Sequence, residues 1–420
     1  MRVVPGETQG SQNKGAIVIL SRLLKYADKR FGLGKALDNV REARVQPVIP
    51  PGVIFRSIML GLLSRTGSLN AFEQLPAGSW WQDWIGDDPP STDRMGDVAA
   101  GVELLDIRDY LLDVYHNIRR KRGLQPLLGR LRPLVVDAHE SFGSYLRCCP
   151  ACRQRTISTK NGERTQYYHR YVTAALVHRD GLLLLDLEPQ KPGEGEAAAA
   201  VRLLERLLRR CPRAFDVVSG DALYMDPAIW RLVRSHGKHI VAVLKNERRD
   251  LMTDARSLFD EVTPTCFDDG TTSYQLWDIP GFNTWTQVEG PVRVVRSLET
   301  SRVRRQRTGE IEETTSEWVW ATSLQPDTTT KSILTIGHKR WSIENEGFNE
   351  LVNHWHADHC YKHHPIAIQA FLLLTFIAYN IFHIFVCRDL KPALRDAHTT
   401  VHFARQVTAE LYCRHATRPP

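Results

Sequence analysis

The chain is poor in cysteine and methionine, with eight and five respectively among 420 residues, and it carries no internal repeat or long low-complexity tract. So few cysteines exclude a disulfide-held scaffold, which needs a dense set. No apolar stretch follows the first residues, which are polar and rich in Gly, Gln, Ser and Asn, so no secretory signal is expected there. A cytoplasmic, reducing location is the expectation, with thiols free or metal-bound. Long uncharged apolar runs are equally scarce: only residues 366–386 are long enough to cross a bilayer. That run contains Gln369, Thr375, Asn380 and His383 and follows His354, His356, His359, His363 and His364. A buried core helix is therefore expected there, and no membrane partner.

What is present describes an ordinary globular protein, with 42% apolar and 25% charged residues and length enough for two or three domains. A formal charge of +7 tilts towards polyanionic partners. The basic residues cluster as Arg119, Arg120, Lys121, Arg122, Arg130 and Arg132, and as Arg302, Arg304, Arg305 and Arg307. Each cluster also reads as a solvated surface run.

Residues 1–130 read as helical. Val53–Leu63 is apolar at helical spacing, Thr66-Gly67 turns the chain, and Ser68 can cap a short second helix, a helix-turn-helix in outline as many helical hairpins are. From Leu131 the pattern changes. Leu134-Val135-Val136 is a short buried strand ending at Asp137, and Tyr167–His178 and Leu182–Leu187 form a hairpin about Asp180-Gly181. Then come a helix over Glu196–Cys211, a strand over Phe215–Ser219, a helix opened by Asp226-Pro227 and a strand over His239–Leu244. Three antiparallel strands followed by β/α alternation is the order of a ribonuclease-H-like α/β fold, a mixed sheet ordered β1-β2-β3-α-β4-α-β5-α. Residues 247–323 read as a β-rich insertion with an arginine-rich tip, 131–246 and 324–390 as the two parts of the core, and 391–420 as a polar basic tail.

Residues 340–351, Arg-Trp-Ser-Ile-Glu-Asn-Glu-Gly-Phe-Asn-Glu-Leu, put Arg340, Glu344, Phe348, Leu351 and Trp355 on one helical stripe. A carboxylate on an apolar stripe calls for a partner or a metal, because an unpaired buried charge costs roughly several kcal/mol. The alternative is an Arg340–Glu344 pair on a solvated helix, contributing about 0.2–0.5 kcal/mol. Asp137 and Asp221 each end a strand, and neighbouring strands would bring them together with Glu344 into an oxygen-rich site; equally, Asp commonly begins turns. Three carboxylates suit Mg²⁺, with Mn²⁺ as a substitute. Two such ions about 3.5–4 Å apart can activate an attacking oxygen and stabilise the leaving one.

In these residues the chain resembles the DDE transposases of bacterial insertion sequences, over about Leu131 to Val386. Asp137 in Val-Val-Asp-Ala-His resembles the first aspartate, Asp221 in Ser-Gly-Asp-Ala-Leu-Tyr the second, and Glu344 in Arg-Trp-Ser-Ile-Glu the glutamate. One branch carries a Tyr-Arg-Glu-Lys signature. Arg340 and Glu344 fit it, whereas Gly337 stands at the Tyr position and Leu351 at the Lys position. The resemblance implies catalysis by Asp137, Asp221 and Glu344 as metal ligands with Arg340 orienting the glutamate or contacting a phosphate, and DNA as partner through terminal inverted repeats and target. It also implies a helical DNA-binding domain over 1–130, a homodimer that joins two element ends, and action at the bacterial nucleoid. Cleavage at the element's end would be followed by attack of the freed 3′-hydroxyl on target DNA. In some members an insertion tryptophan stacks on a flipped base. Trp285, Trp318 and Trp320 are the candidates here, core packing being the other reading. The rival functions are a metal-dependent nuclease of the same fold and a decayed transposase that only holds DNA.

Cys149 and Cys152 form a C-x₂-C, half of a zinc site beside Cys148, whose second half would come from His169 or from His356, His359, Cys360 and His363; free thiols are the alternative. Glu196 reads as an auxiliary carboxylate or as a helix start, and His139 as facing the site or as an ordinary strand histidine.

Overall fold

The structure is a computed structural model and describes residues 19–413 apart from 77, 122, 130, 161, 246–249 and 306–307. The polar first residues, Arg122, Arg130 and Arg307 thus lie outside the described residues. The strands are β1 (Pro133–Ser144), β2 (Arg153–Thr159), β3 (Gly162–His178), β4 (Gly181–Pro189), β5 (Val217–Gly220) and β6 (His239–Val243). They continue as β7 (Thr265–Asp268), β8 (Thr272–Phe282), β9 (Val292–Arg304) and β10 (Ile311–Thr322).

One sheet runs β3-β1-β5-β6-β10-β9-β8-β7, with β2 beside the first half of β3 and β4 beside its second half. β1, β5 and β6 are parallel, while β3 is antiparallel to β1 and β4 to β3. The order β4-β3-β1-β5-β6 with these senses is the ribonuclease-H-like core expected from the element order. Strands covered on both faces read as continuous apolar runs, which is why Leu134-Val135-Val136 and Ile240-Val241-Ala242 stand out in the sequence. Successive side chains point to opposite faces. Val217, Val241 and Val243 therefore join a core with Trp320, Ile333 and Ile336, while Val218, Ile240 and Ala242 join the larger core on the other face.

The sequence reading misses β2, whose exposed, alternating Arg153–Thr159 lacks the apolar signature of a buried strand. It also reads 247–323 as β throughout, whereas the segment opens with a helix over Asp250–Phe259 that buries Leu251, Met252, Ala255 and Phe259. β10 pairs antiparallel with β6, so β7–β10 extend the central sheet. At the tip, Arg302 pairs with Glu313 and Arg305 with Glu312 across the β9–β10 hairpin. The first basic cluster is similarly committed at Arg132, which clasps Asp216. At these three arginines the plainer reading of paired, solvated charge holds.

Seven helices among the described residues precede β1: α1 (Ile19–Phe31), α2 (Leu33–Asp38), α3 (Pro51–Leu63), α4 (Leu69–Glu73), α5 (Gln82–Ile85), α6 (Thr92–Ala100) and α7 (Leu104–Arg120). Ser68 caps α4 as its sequence suggests, but α4 has five residues and α3 is buried on nearly every face. That hairpin is a packing element, too short in its second arm to present several side chains to a groove. Further on come α8 (Glu196–Arg210), α9 (Pro227–Ser235), α10 (Asp250–Phe259), α11 (Thr330–Lys339), α12 (Asn349–Trp355) and α13 (Pro365–Arg388). Residues read as a tail continue as α14 (Pro392–Ala397) and α15 (Thr400–Leu411), α15 packing on α1.

α13 is the apolar run of 366–386. By length and composition it is the one described helix able to cross a membrane, yet it is buried between α3, α6, α7 and β4. Each fully buried Leu, Ile or Phe contributes about 1.5–3 kcal/mol. Its polar residues all have partners inside the protein: Asn380 takes the N–H of Leu184 at 3.0 Å and donates to its C=O at 2.8 Å, Thr375 donates to Phe371 O, Gln369 accepts from Arg108, and His383 meets Glu350 at 2.8 Å. Arg108 of α7 and Arg206 of α8 both bind Asp186 of β4, which fastens the helical region to the sheet.

Candidate active site and a Cys/His cluster

β1 and β5 pair in parallel with Leu134 opposite Val218 and Val135 opposite Ser219. Continued along both strands, that register sets Asp137 level with Asp221. Asp221 follows the end of β5, whereas Asp137, expected to end its strand, is the fifth residue of a β1 that runs on to Ser144 because its outer part pairs with β3. Asp221 also caps the short turn Ala222–Tyr224, accepting from Leu223 N at 2.8 Å, so its plainer role as a turn residue holds too. Gly220 before it is required by contact: a Cβ there would lie 2.2 Å from the Tyr224 ring.

Arg340, buried at the end of α11, brings the other two acids together. Its Nη1 donates to Asp137 Oδ2 at 3.1 Å and to Glu344 Oε1 at 2.5 Å. Glu344 lies in a π-helical turn, Ile343–Phe348, a widened helix geometry that is rare and frequently falls at functional positions. The stripe expected from a uniform helix is correspondingly uneven. Arg340, Phe348, Leu351 and Trp355 are buried, whereas the Glu344 side chain is 48% exposed.

The acids repel one another. Burial, together with the hydrogen bond shared with Glu344, pushes the Asp137 carboxyl up to about 7, against the pull of Ala138 N–H and Arg340. Burial also acts to raise Glu344, but its bonds to Arg340 and Asp137 and the nearby charge of Lys245 hold it below the usual range. The two carboxyls therefore titrate as one coupled pair, raised at Asp137 and lowered at Glu344. Glu196, the first residue of α8, is raised by burial with the Asp221 charge adding to it; its Oε2 accepts from Arg170 at 2.8 Å. Burial and the charges of Glu196, Asp137 and Asp221 raise the Tyr224 hydroxyl well above its ordinary value. Glu196 Oε1 and the Tyr224 hydroxyl are both buried, and their interaction with one another acts to lower Glu196 and to raise Tyr224. Asp137, Asp221, Glu344 and Glu196 are oxygen donors of the kind a hard divalent cation such as Mg²⁺ takes, but among the described residues no three of them gather as tightly as the Cys149, Cys152, His169 and His363 cluster.

Sequence reasoning missed Tyr224, Lys245 and the Arg170 partner of Glu196. The only available signal was position: Lys245 is just past buried β6, and Tyr224 just past Asp221. His139 stacks on Phe348 with centroids 4.7 Å apart, beneath the π-helical turn. Of the candidate tryptophans, Trp320 is fully buried, Trp318 stacks on it at 6.2 Å, and Trp285 sits edge-on to Trp230 at 5.0 Å. The exposed one is Trp341, beside Arg340. The two departures from the signature have packing causes. A Cβ on Gly337 would meet Trp320 Nε1 at 2.4 Å, and Leu351 is 3% exposed in the core.

A second cluster lies away from the acids. Ligand atoms of Cys149, Cys152, His169 and His363 all fall within 4.8 Å of one another. Cys149 and Cys152 sit between β1 and β2, His169 on β3 and His363 between α12 and α13. Of the five residues offered by the sequence for the second half-site, the fold selects His169 and His363. Cys148 is exposed.

No curated protein sequence matches the chain. Among solved structures, the NurA nuclease from Sulfolobus solfataricus aligns over 55% of this chain and 82% of that chain, at 8% identity and a TM-score of 0.24, too slight a likeness to carry any weight. A family model described as the transposase DDE domain matches residues 144–381, more than half of the chain, and its span takes in Asp221, Arg340 and Glu344 while starting just after Asp137. The protein belongs to the DDE transposase family.

Proposed function

We propose that the protein is an insertion-sequence transposase that binds the terminal inverted repeats of its element and catalyses Mg²⁺-dependent DNA strand cleavage and strand transfer. The observation that carries this reading is the meeting of Asp137 and Glu344 on the one guanidinium of Arg340, with Asp221 level with Asp137 on the next strand. Asp137, Asp221 and Glu344 would hold the metal, with Glu196 behind them. When bound, Mg²⁺, or Mn²⁺ in its place, supplies charge neutralisation at the reacting phosphate and acidifies the attacking hydroxyl.

The chain's own residues do the rest. Arg340 keeps Asp137 and Glu344 in register, and its unpartnered buried Nε holds a further N–H in reserve. Lys245, whose charge reaches Glu344, suits a phosphate oxygen. In this reading residues 1–130 serve DNA binding, 131–246 and 324–390 form the catalytic core, 247–323 its insertion and 391–420 a carboxy-terminal appendage. Two copies each hold one element end in a dimeric synaptic complex at the nucleoid.

The test is incubation of the full chain with labelled precleaved element ends, a supercoiled target plasmid and Mg²⁺. Joined product is expected from the wild type, and at least ~10³-fold less from Asp221→Ala, since a metal ligand contributes several kcal/mol. Cutting without joining would replace the reading with a nuclease. End binding without any reaction would leave a DNA-holding protein.

A further inference from the structure

We propose that Cys149, Cys152, His169 and His363 hold one structural Zn²⁺, and that this ion clamps the strand of Asp137 to the chain that follows Glu344. The distances lead there. Cys149 Sγ lies 3.6 Å from Cys152 Sγ and 3.3 Å from His169 Nε2, and Cys152 Sγ lies 3.3 Å from both His169 Nε2 and His363 Nε2. Tetrahedral zinc, with bonds of about 2.3 Å to sulfur and 2.0–2.1 Å to nitrogen, sets its ligand atoms about 3.3–3.8 Å apart. Four of the six edges of that tetrahedron are already in this range, and the other two are no longer than 4.8 Å. Cys152 Sγ meets four partners, Cys149 N, Cys149 Sγ and two imidazole nitrogens, an unusual gathering around a sulfur that is only a weak donor and a weak acceptor. The two cysteines do not form a disulfide, since sulfurs 3.6 Å apart are far beyond a bond of about 2.05 Å.

The donor set identifies the ion and its role. Two thiolates and two imidazoles in tetrahedral order select zinc over Mg²⁺ or Ca²⁺, which take oxygen. Four protein ligands leave no position for water or substrate, so the site holds and does not react. His169 is 3% exposed and Cys152 9%, as a closed site requires. Phe142 of β1 packs against both imidazoles, at 5.4 Å from His169 and 5.4 Å from His363, and so shields the inner side.

Position gives the consequence. The ion would close the chain between His169 and His363, a loop that contains Asp221, Arg340 and Glu344. One side of the clamp is the β1–β3 ribbon on which Asp137 lies, and the other is the segment into which the π-helical turn and α12 lead. Glu344 is half-exposed and is held to Asp137 through Arg340; the zinc fixes the far end of its element. The four ligands are then positioning residues. This proposal stands apart from the catalytic one, because zinc retention can be read without any DNA.

The experiment measures metal content of the full chain, purified under reducing conditions from zinc-containing medium, by plasma mass spectrometry. One zinc per chain is expected, unchanged in Cys148→Ser and retained in His363→Cys, which keeps four ligands. His363→Ala and the Cys149→Ser/Cys152→Ser double variant are expected to hold zinc more than ~100-fold more weakly, since even outer partners of a metal site change affinity by about 10–100-fold. If these variants fail to fold, Co²⁺ exchanged into the wild type serves instead. Thiolate-to-cobalt charge-transfer bands with tetrahedral d–d bands are expected. Zinc-free protein in which Cys149 and Cys152 both react with a thiol reagent, with a thermal midpoint indifferent to added zinc, would overturn the proposal. So would stoichiometric zinc in the double variant, or an octahedral cobalt spectrum.

Discussion

The acids around Arg340 and the thiols around Cys152 both begin at β1 and end on the chain beyond α11, yet they differ in how far their atoms are already satisfied. Glu344 is 48% exposed, burial and the Asp221 charge raise Glu196 against the pull of Arg170 and Tyr224, and Asp137 is pushed up to about 7 by burial and by its neighbour. At the other cluster the four ligand atoms lie within 4.8 Å of one another and two of the residues are buried. A centre that must admit a phosphate has to stay open and electrostatically incomplete. A centre that only joins chain segments can close on itself. The same fold thus leaves negative charge incompletely met where chemistry would occur and gathers complementary ligand atoms where it would hold the chain together.

Replacing the ligands of each centre in turn sharpens this contrast. The largest expected effect is on the open centre: Asp221→Ala should lower strand joining at least ~10³-fold while leaving zinc content and thermal midpoint unaltered. Loss of zinc alongside activity would show that the two centres are not separable. Next comes the clamp. Cys152→Ser should destabilise the protein by roughly several kcal/mol in urea titration, because binding energy at a structural zinc is folding energy. Its joining activity should fall through a weaker response to Mg²⁺, and an unaltered Mg²⁺ dependence would count against the clamp.

Arg340 lies between these cases. Arg340→Lys should retain the charge but lose the fork that meets two carboxylates, reducing joining by about 10–100-fold, measured as kcat at saturating DNA. Activity equal to wild type would mean that the guanidinium is only a surface pair. Gly337→Tyr, which would restore the family signature at that position, should instead destabilise by about 1–3 kcal/mol in a denaturant titration, since the side chain meets Trp320.

The smallest effect tests acid sensitivity outside both centres. His178 is buried at the end of β3 and accepts from Asp180 N at 3.2 Å through Nδ1, and burial holds its pKa below the ordinary value. The unfolded chain therefore takes up this proton first as pH falls. The contribution of His178 to stability is complete above about pH 6.5 and is lost as pH drops below it towards the folded value. His178→Asn should flatten that part of the stability–pH curve, and an unchanged slope would assign the acid sensitivity to other histidines.

Much of the core was legible in the chain because buried parallel strands are written as continuous apolar runs, and β5 and β6 were found within a few residues. β1 was read as three residues where it has twelve, since beyond Asp137 it carries polar side chains and pairs as an outer ribbon. β2 escaped for the same reason. The basic clusters read in the sequence either as a tilt towards polyanionic partners or as solvated surface runs. The structure pairs Arg302, Arg305 and Arg132 with acids that the sequence does not mark as partners. The candidate site was visible as types and order: two aspartates after strands and a glutamate one turn beyond an arginine. Its missing members, Tyr224, Lys245 and Arg170, carry no local mark because their roles depend on what lies across the sheet.

By itself the amino-acid sequence determined the period of each element, the C-x₂-C spacing that sets two sulfurs on one turn, and the i, i+4 spacing of Arg340 and Glu344, all interactions within a few residues of backbone geometry. Only the tertiary structure decided that His169 and His363 and not His356, His359 or Cys360 complete the cluster, that Asp137 meets Glu344, and that Trp320 fills the place of a signature tyrosine. Those choices rest on contacts between residues far apart in the chain, where strand register and helix packing, not local propensity, set which side chains touch.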